Sequence, residues 1–236
     1  MRIAVSSSTF RQPLAAGELT QLEWLEHCAN VLTVDGVLAD VADFPRTDAE
    51  YIAQLRKVAV DLGIVPVGID APGLFDRGPA DAGDVVALAS GFGAAVVRTT
   101  LPPPGEVPPA TFVETVKAAK ALSRIAKVAN VTLIVAAAPG TIGADLAAIR
   151  HLLKDTDSAW LRACPSVLDD SEKLGARDRI PAFTAGAADD PAAVAARVSR
   201  GWIILDAPPA KLPFDVVGRA LAALRKADAE RTLSGR

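Results

Sequence analysis

A short apolar run followed by a stretch with helical spacing recurs along this chain, and that alternation limits its fold more than any other feature. The runs are "RIAVSS", "DGVLADV", "IVPVGID", "AAVVRTT", "VTLIVAAA", "AWLRACPS", "IPAFTAG" and "GWIILDAP". Their residues are apolar on both faces, as in parallel strands buried on both sides. Between the runs, Leu22, Leu25, Ala29 and Leu32 share one helical face behind a Thr20/Glu23 capping box. The same pattern returns with Thr47 and Glu50, then Ile52, Leu55, Ala59 and Leu62, and Gly63 as a stop. Further helices are predicted over Asp84–Phe92, behind a Thr111/Glu114 cap, over Asp145–Lys154, around Ser171–Leu174, behind Asp190 with Pro191 at the first position, and from Pro213 to Ala229.

Eight such units in 236 residues fit a (β/α)8 TIM barrel, which takes about 250 residues. The expectation is one α/β domain over residues 1–236. A doubly wound sheet would usually carry a Gly-rich phosphate loop after its first strand. That place holds Ser6, Ser7, Ser8 and Thr9 instead, and "GTIG" after the fifth run is only a G-x-x-G.

Charge and composition narrow the function classes. The formal net charge of −3 offers no basic field for nucleic acid. No apolar run is long enough to span a membrane, and no signal peptide is recognisable. Cys28 and Cys164 lie in different kinds of element, which suits a reducing, cytoplasmic setting better than a disulfide scaffold. The expected partner is a small-molecule ligand, with neither nucleic acid nor membrane.

In a TIM barrel the chemistry sits where the strands end. The first strand brings Ser6 to Thr9, the second Asp40 and Asp43, and the third Asp70. The fourth brings Arg98, Thr99 and Thr100, the sixth Arg162, Cys164 and Ser166, the seventh Thr184 and the eighth Asp206. The fifth brings only Ala136, Ala137 and Ala138.

"SSSTF", "LTQLEWLEHCANVLTVDGV", "YIAQLRKVAVDLGI" and "VTLIV" followed by "PGT" together resemble the xylose isomerase-like TIM barrels, the sugar phosphate isomerase and epimerase group. The resemblance runs over most of the chain. It implies a divalent metal held by Glu, Asp, His and Glu from different strand ends, polarising a sugar carbonyl. The matching positions have changed. Where the family carries Glu-Asn-His, this chain has Ala136, Ala137 and Ala138. The Asp position falls near Cys164 or Pro165, the seventh-strand His has no counterpart, and the last Glu falls at Asp206. Where the family often reads Gly-Val-Glu, this chain reads Gly36, Val37 and Leu38. His27 and His151 lie in predicted helices. The expectation is therefore a site with no metal and no cofactor.

Arg98 and Arg162, with Asp40 and Ser166, are the candidate ligand-binding residues, and Asp70 and Asp206 the candidate acid–base pair. If one arginine is left unneutralised at the mouth, a sugar phosphate or hydroxy acid is the natural ligand; if not, the acids and arginines fill the space. The favoured reading is a degenerate isomerase-like barrel that binds a small polar or anionic ligand. The alternatives are a working isomerase or epimerase using Asp40, Asp70 and Asp206, and a non-catalytic scaffold.

Overall fold

The computed structural model describes residues 1–105, 108–169, 174, 180–198, 201–208 and 213–234. The eight apolar runs form eight strands: β1 (Arg2–Ser6), β2 (Gly36–Asp40), β3 (Val65–Asp70), β4 (Val96–Thr100), β5 (Thr132–Ala136), β6 (Leu161–Cys164), β7 (Ala182–Gly186) and β8 (Trp202–Asp206). They form one parallel sheet in the order β6-β5-β4-β3-β2-β1-β8-β7. The seam is bridged just past β6, where the Thr184 N–H donates to the Pro165 carbonyl at 3.0 Å and the Val167 N–H to the Thr184 carbonyl at 2.8 Å. The sheet is thus a nearly closed barrel, and the fold is a (β/α)8 TIM barrel.

One residue from each strand fills the middle of the barrel: Ala4, Leu38, Val67, Val96, Ile134, Cys164, Ala182 and Ile204. Opposite faces of the same strands, among them Val5, Val37, Ile69, Val97, Val135 and Ile203, pack outward against the helices. This two-sided burial is why the runs are apolar throughout. Gly36 and Gly68 face inward where two strands and their side chains crowd the space.

The helices are α1 (Arg11–Ala15), α2 (Gln21–Asn30), α3 (Ala49–Asp61), α4 (Pro79–Phe92), α5 (Pro108–Val128), α6 (Leu146–Thr156), α7 (Pro191–Arg197) and α8 (Pro213–Ser234). The Thr20/Glu23 capping box of α2 is present in both directions. The second expected box is not. Asp48 caps α3, accepting from the Tyr51 N–H at 3.0 Å. Its carboxylate satisfies an unpaired N–H and favours the positive end of the helix, which displaces the cap by one residue from Thr47. Two helices start earlier than their stripes suggest, because Pro79 and Pro108 open them and carry no N–H to leave unpaired. Thr111 is therefore inside α5 and does not cap it. The loop after β1 is more ordered than its polar sequence suggests, with a 3-10 turn over Ser7–Phe10 leading into α1. Of the short helix expected around Ser171–Leu174, only Leu174 lies among the described residues.

Candidate active site at the barrel mouth

Asp70 and Arg98 sit side by side on β3 and β4 at the barrel mouth. The guanidinium grips Asp70 with two parallel bonds, Nε to Oδ1 at 2.9 Å and Nη2 to Oδ2 at 2.7 Å. It also holds Asp206, at the end of β8, with Nη1 to Oδ2 at 2.5 Å and Nη2 to Oδ1 at 3.2 Å. Arg98 is 6% exposed. Burial alone would make its charge costly and lower its pKa. The two carboxylates more than offset that and hold it well above the usual arginine value. Asp206 is the most open member, with 31% of its side chain exposed against 12% for Asp70.

Beside this triad stands a second charged group. Asp40 is the register partner of Asp70. Its Oδ1 accepts from the Ala42 N–H at 2.8 Å, and its Oδ2 is paired with Arg11. Arg11 donates through Nε to Asp43 Oδ1 at 3.0 Å, and the Ser7 hydroxyl donates to Asp43 Oδ2 at 2.6 Å. Burial pushes the Asp40 pKa up, helped by the Asp70 charge, while the Ala42 bond and Arg11 pull it down. Sequence reasoning missed Arg11. The available signal was charge balance, since Asp40 and Asp43 at one strand end need a cation.

Other expected residues are placed as follows. Cys164 is fully buried, and burial pushes its thiol up to about 12, so it is no nucleophile at neutral pH. Ser166 shapes the turn after β6, its N–H donating to Asp169 Oδ2 at 2.9 Å and its Oγ accepting from the Leu168 N–H at 3.3 Å. Thr9 ties β1 to β8 by accepting from the Ala207 N–H at 3.0 Å and donating to the Ala207 carbonyl at 3.1 Å. His27 lies on α2 against Phe214, with ring centroids 4.8 Å apart, and His151 is exposed on α6.

Arg162 does not join Arg98. Its Nη1 donates to the Ser158 and Leu161 carbonyls, both at 3.0 Å, ahead of β6 and toward the floor of the barrel. The strand begins only at Leu161, so Arg162 is its second residue. The expected pair of arginines facing one central space is therefore not formed. Among the described residues, Arg98 is not left over as a free cation there, because it has two carboxylates. Among the described residues the mouth sets Asp40, Asp43, Asp70 and Asp206 against Arg11 and Arg98, an excess of negative charge.

A divalent metal does not fit this donor set. The oxygens of Asp70 and Asp206 converge on a guanidinium that supplies the cation, and β5 brings Ala136 to the mouth. Methyl groups and a buried guanidinium cannot ligate a hard cation. Among the described residues, no group of three or more His, Cys, Asp and Glu is arranged to hold a metal ion.

Ala136 is 8% exposed and pairs with Thr100 and Cys164. Its replacement by Glu puts a carboxylate among acids whose arginine is already committed. We expect Ala136→Glu to cost about 3 kcal/mol or more at neutral pH, measured by urea unfolding. A loss within about 0.5 kcal/mol would mean that an open, well-solvated pocket lies beside Ala136.

No family model matches the chain, and no curated protein does. Solved structures match it along nearly its whole length. A D-allulose 3-epimerase from Methylomonas sp. superposes with a TM-score of 0.75 at 11% identity, covering 96% of this chain and 98% of that one. The 3-keto-D-glucoside 4-epimerase YcjR from E. coli gives 0.73 at 12% identity, covering 96% and 99%. A xylose isomerase domain containing protein from Salmonella typhimurium LT2 gives 0.72 at 15% identity, covering 96% and 97%. At such identities the likeness is one of fold, and fold alone does not carry activity. In fold, then, this chain is similar to the xylose isomerase-like TIM barrels.

Proposed function

We propose that this barrel binds a small, neutral polyhydroxy ligand at the mouth, a sugar or polyol, and that it does so without a metal. The observation that carries the reading is the Asp70–Arg98–Asp206 triad. Arg98 neutralises one carboxylate's worth of charge and is fully engaged, so among the described residues an anionic ligand would meet net negative charge. Sugar hydroxyls, by contrast, are donors that suit carboxylate acceptors. Asp206 is the acceptor most open to solvent, half-buried Ser8 follows β1, and half-buried Thr100 ends β4. Epimerases among the matching structures make a sugar the natural class to try. The negative mouth turns the reading away from sugar phosphates and hydroxy acids at this site.

Asp70 has both oxygens held by Arg98. Of the two proposed acid–base residues, the greater exposure of Asp206 favours it as the one that touches a ligand. The reading includes a cytoplasmic location, which suits two free, buried cysteines.

Calorimetric titration with neutral sugars and polyols tests the proposal, in parent and Asp206→Asn. The variant keeps the Asp70–Arg98 pair, so its fold should hold. We expect saturable binding by the parent, in the presence of a chelator, and at least about tenfold weaker binding by the variant. A second reading, the scaffold, is favoured by one observation: every nitrogen of Arg98 already has a carboxylate partner. No binding across the panel would leave that reading standing, and binding untouched by Asp206→Asn would move the site elsewhere.

A further inference from the structure

At the opposite end of the barrel, a pocket of about 230 Å³ lies between the C-terminal halves of α5 and α6 and the turn into β6. Lys120, Ser123, Arg124 and Lys127 line it from α5, and Thr156, Ser158 and Trp160 from the other side. The spacing of the three cations, four and then three residues, puts them on one face of the helix. All three are exposed, and among the described residues none of them is in an ion pair.

Two hydroxyls decide what this pocket is. Ser123 and Thr156 are 4% and 6% exposed, and the Oγ of one and the Oγ1 of the other have no hydrogen-bond partner. Buried hydroxyls are nearly always paired, because an unpaired one forfeits its bonds to water. Here the two residues that carry them, one on each helix, line one pocket rimmed with positive charge. The pocket is several times larger than the roughly 30 Å³ share of a water molecule. Cations in the last turn of a helix are commonly explained by the helix dipole, and that accounts for Lys127. It does not account for Lys120, two turns from the end, or for the orphaned hydroxyls. Asp155 and Asp157 flank Thr156 in sequence but do not line the pocket.

The geometry points to an anion site for a phosphate group, as inorganic phosphate or as the phosphate of a small monoester. Its oxygens accept from the Ser123 and Thr156 hydroxyls, and Lys120, Arg124 and Lys127 neutralise it from the rim. The carbonyl of Ser158 also holds Arg162, so a further guanidinium stands close behind the floor of the pocket. The site lies at the strand starts, away from the mouth, and does not depend on the ligand proposed there.

The test is a titration at low ionic strength with inorganic phosphate, glycerol 3-phosphate and glycerol, followed by calorimetry and by tryptophan fluorescence. We expect one equivalent of phosphate to bind, glycerol to bind nowhere near as well, and Asp206→Asn to leave phosphate binding unchanged. Arg124→Gln, at an exposed position, should weaken it about tenfold. Ser123→Ala should weaken binding while leaving the ligand-free fold as stable as the parent or more so, since it removes an unpaired hydroxyl. Tighter binding of glycerol 3-phosphate would identify the ligand as a monoester, and equal or tighter binding of inorganic phosphate would identify the free ion. No saturable binding below about 10 mM would overturn the proposal, as would binding unaffected by both Arg124→Gln and Ser123→Ala.

Discussion

Replacing Arg98 with Met should destabilise the protein by about 3–5 kcal/mol at neutral pH, the usual cost of stripping one partner from a buried ion pair. The side chain volume is roughly kept, so packing changes little. What changes is that Asp70, with 12% of its side chain exposed, loses both of its bonds from Arg98. Asp206 loses its partner too, though its greater exposure lets water screen part of the loss. Asp40, the neighbour of Asp70 across the sheet, adds repulsion. The sign with pH follows. Two or three acids crowded without their cation favour protonation, so the deficit should shrink as the pH falls through the carboxylate range. Urea unfolding of parent and variant at neutral and acidic pH reads both effects. A variant as stable as the parent would mean that the triad is a solvated surface cluster rather than the electrostatic centre of the mouth.

Gly68→Ala should also be damaging, for a reason of space alone. A Cβ on Gly68 would lie 2.6 Å from Val96 Cγ2, 2.8 Å from Leu38 Cδ1 and 2.9 Å from the Val96 carbonyl oxygen. The two side chains can rotate, but the carbonyl belongs to the β4 backbone. Overpacking of this kind costs about 1–3 kcal/mol. Trimming the neighbour should relieve only the side-chain part of it. In thermal or urea unfolding, Gly68→Ala combined with Val96→Ala should lose less than the sum of the single changes. Strict additivity would show that the interior is looser at this level than the contacts require.

The alternation of runs made the barrel legible because two-sided burial leaves a direct mark on residue type. The inward-facing charges were legible for a related reason. A strand end carrying Asp70 or Arg98 has few uses for an acid or a base other than the mouth. Level along the barrel axis was not legible. Arg162 and Arg98 both stand in runs that look alike, but β6 is only four residues long and starts at Leu161, which puts Arg162 low and turns it toward the Ser158 carbonyl. Strand length depends on where neighbouring ladders begin, and no local pattern encodes that. Arg11 escaped notice because "SSSTFRQP" has the composition of a loop, whereas Ser7–Phe10 coils into a turn that aims Arg11 back at Asp40 and Asp43. Helix caps fell between these cases. Thr20 was found because Glu23 completes its box, while Asp48 took the cap from Thr47 one residue away.

Ala136 at the end of β5, with Ala137 and Ala138 just past it, acquires a meaning beside the triad. At this mouth the carboxylates of Asp70 and Asp206 converge on one cation, and the Arg98 side chain provides it. Elemental analysis of the protein after exhaustive dialysis tests this most directly. Less than about a tenth of an equivalent of Mn, Mg or Zn per chain is the result the account predicts, since a hard divalent ion needs several oxygen ligands that this mouth does not offer. Retention of a full equivalent would contradict it, placing a metal where Arg98 stands.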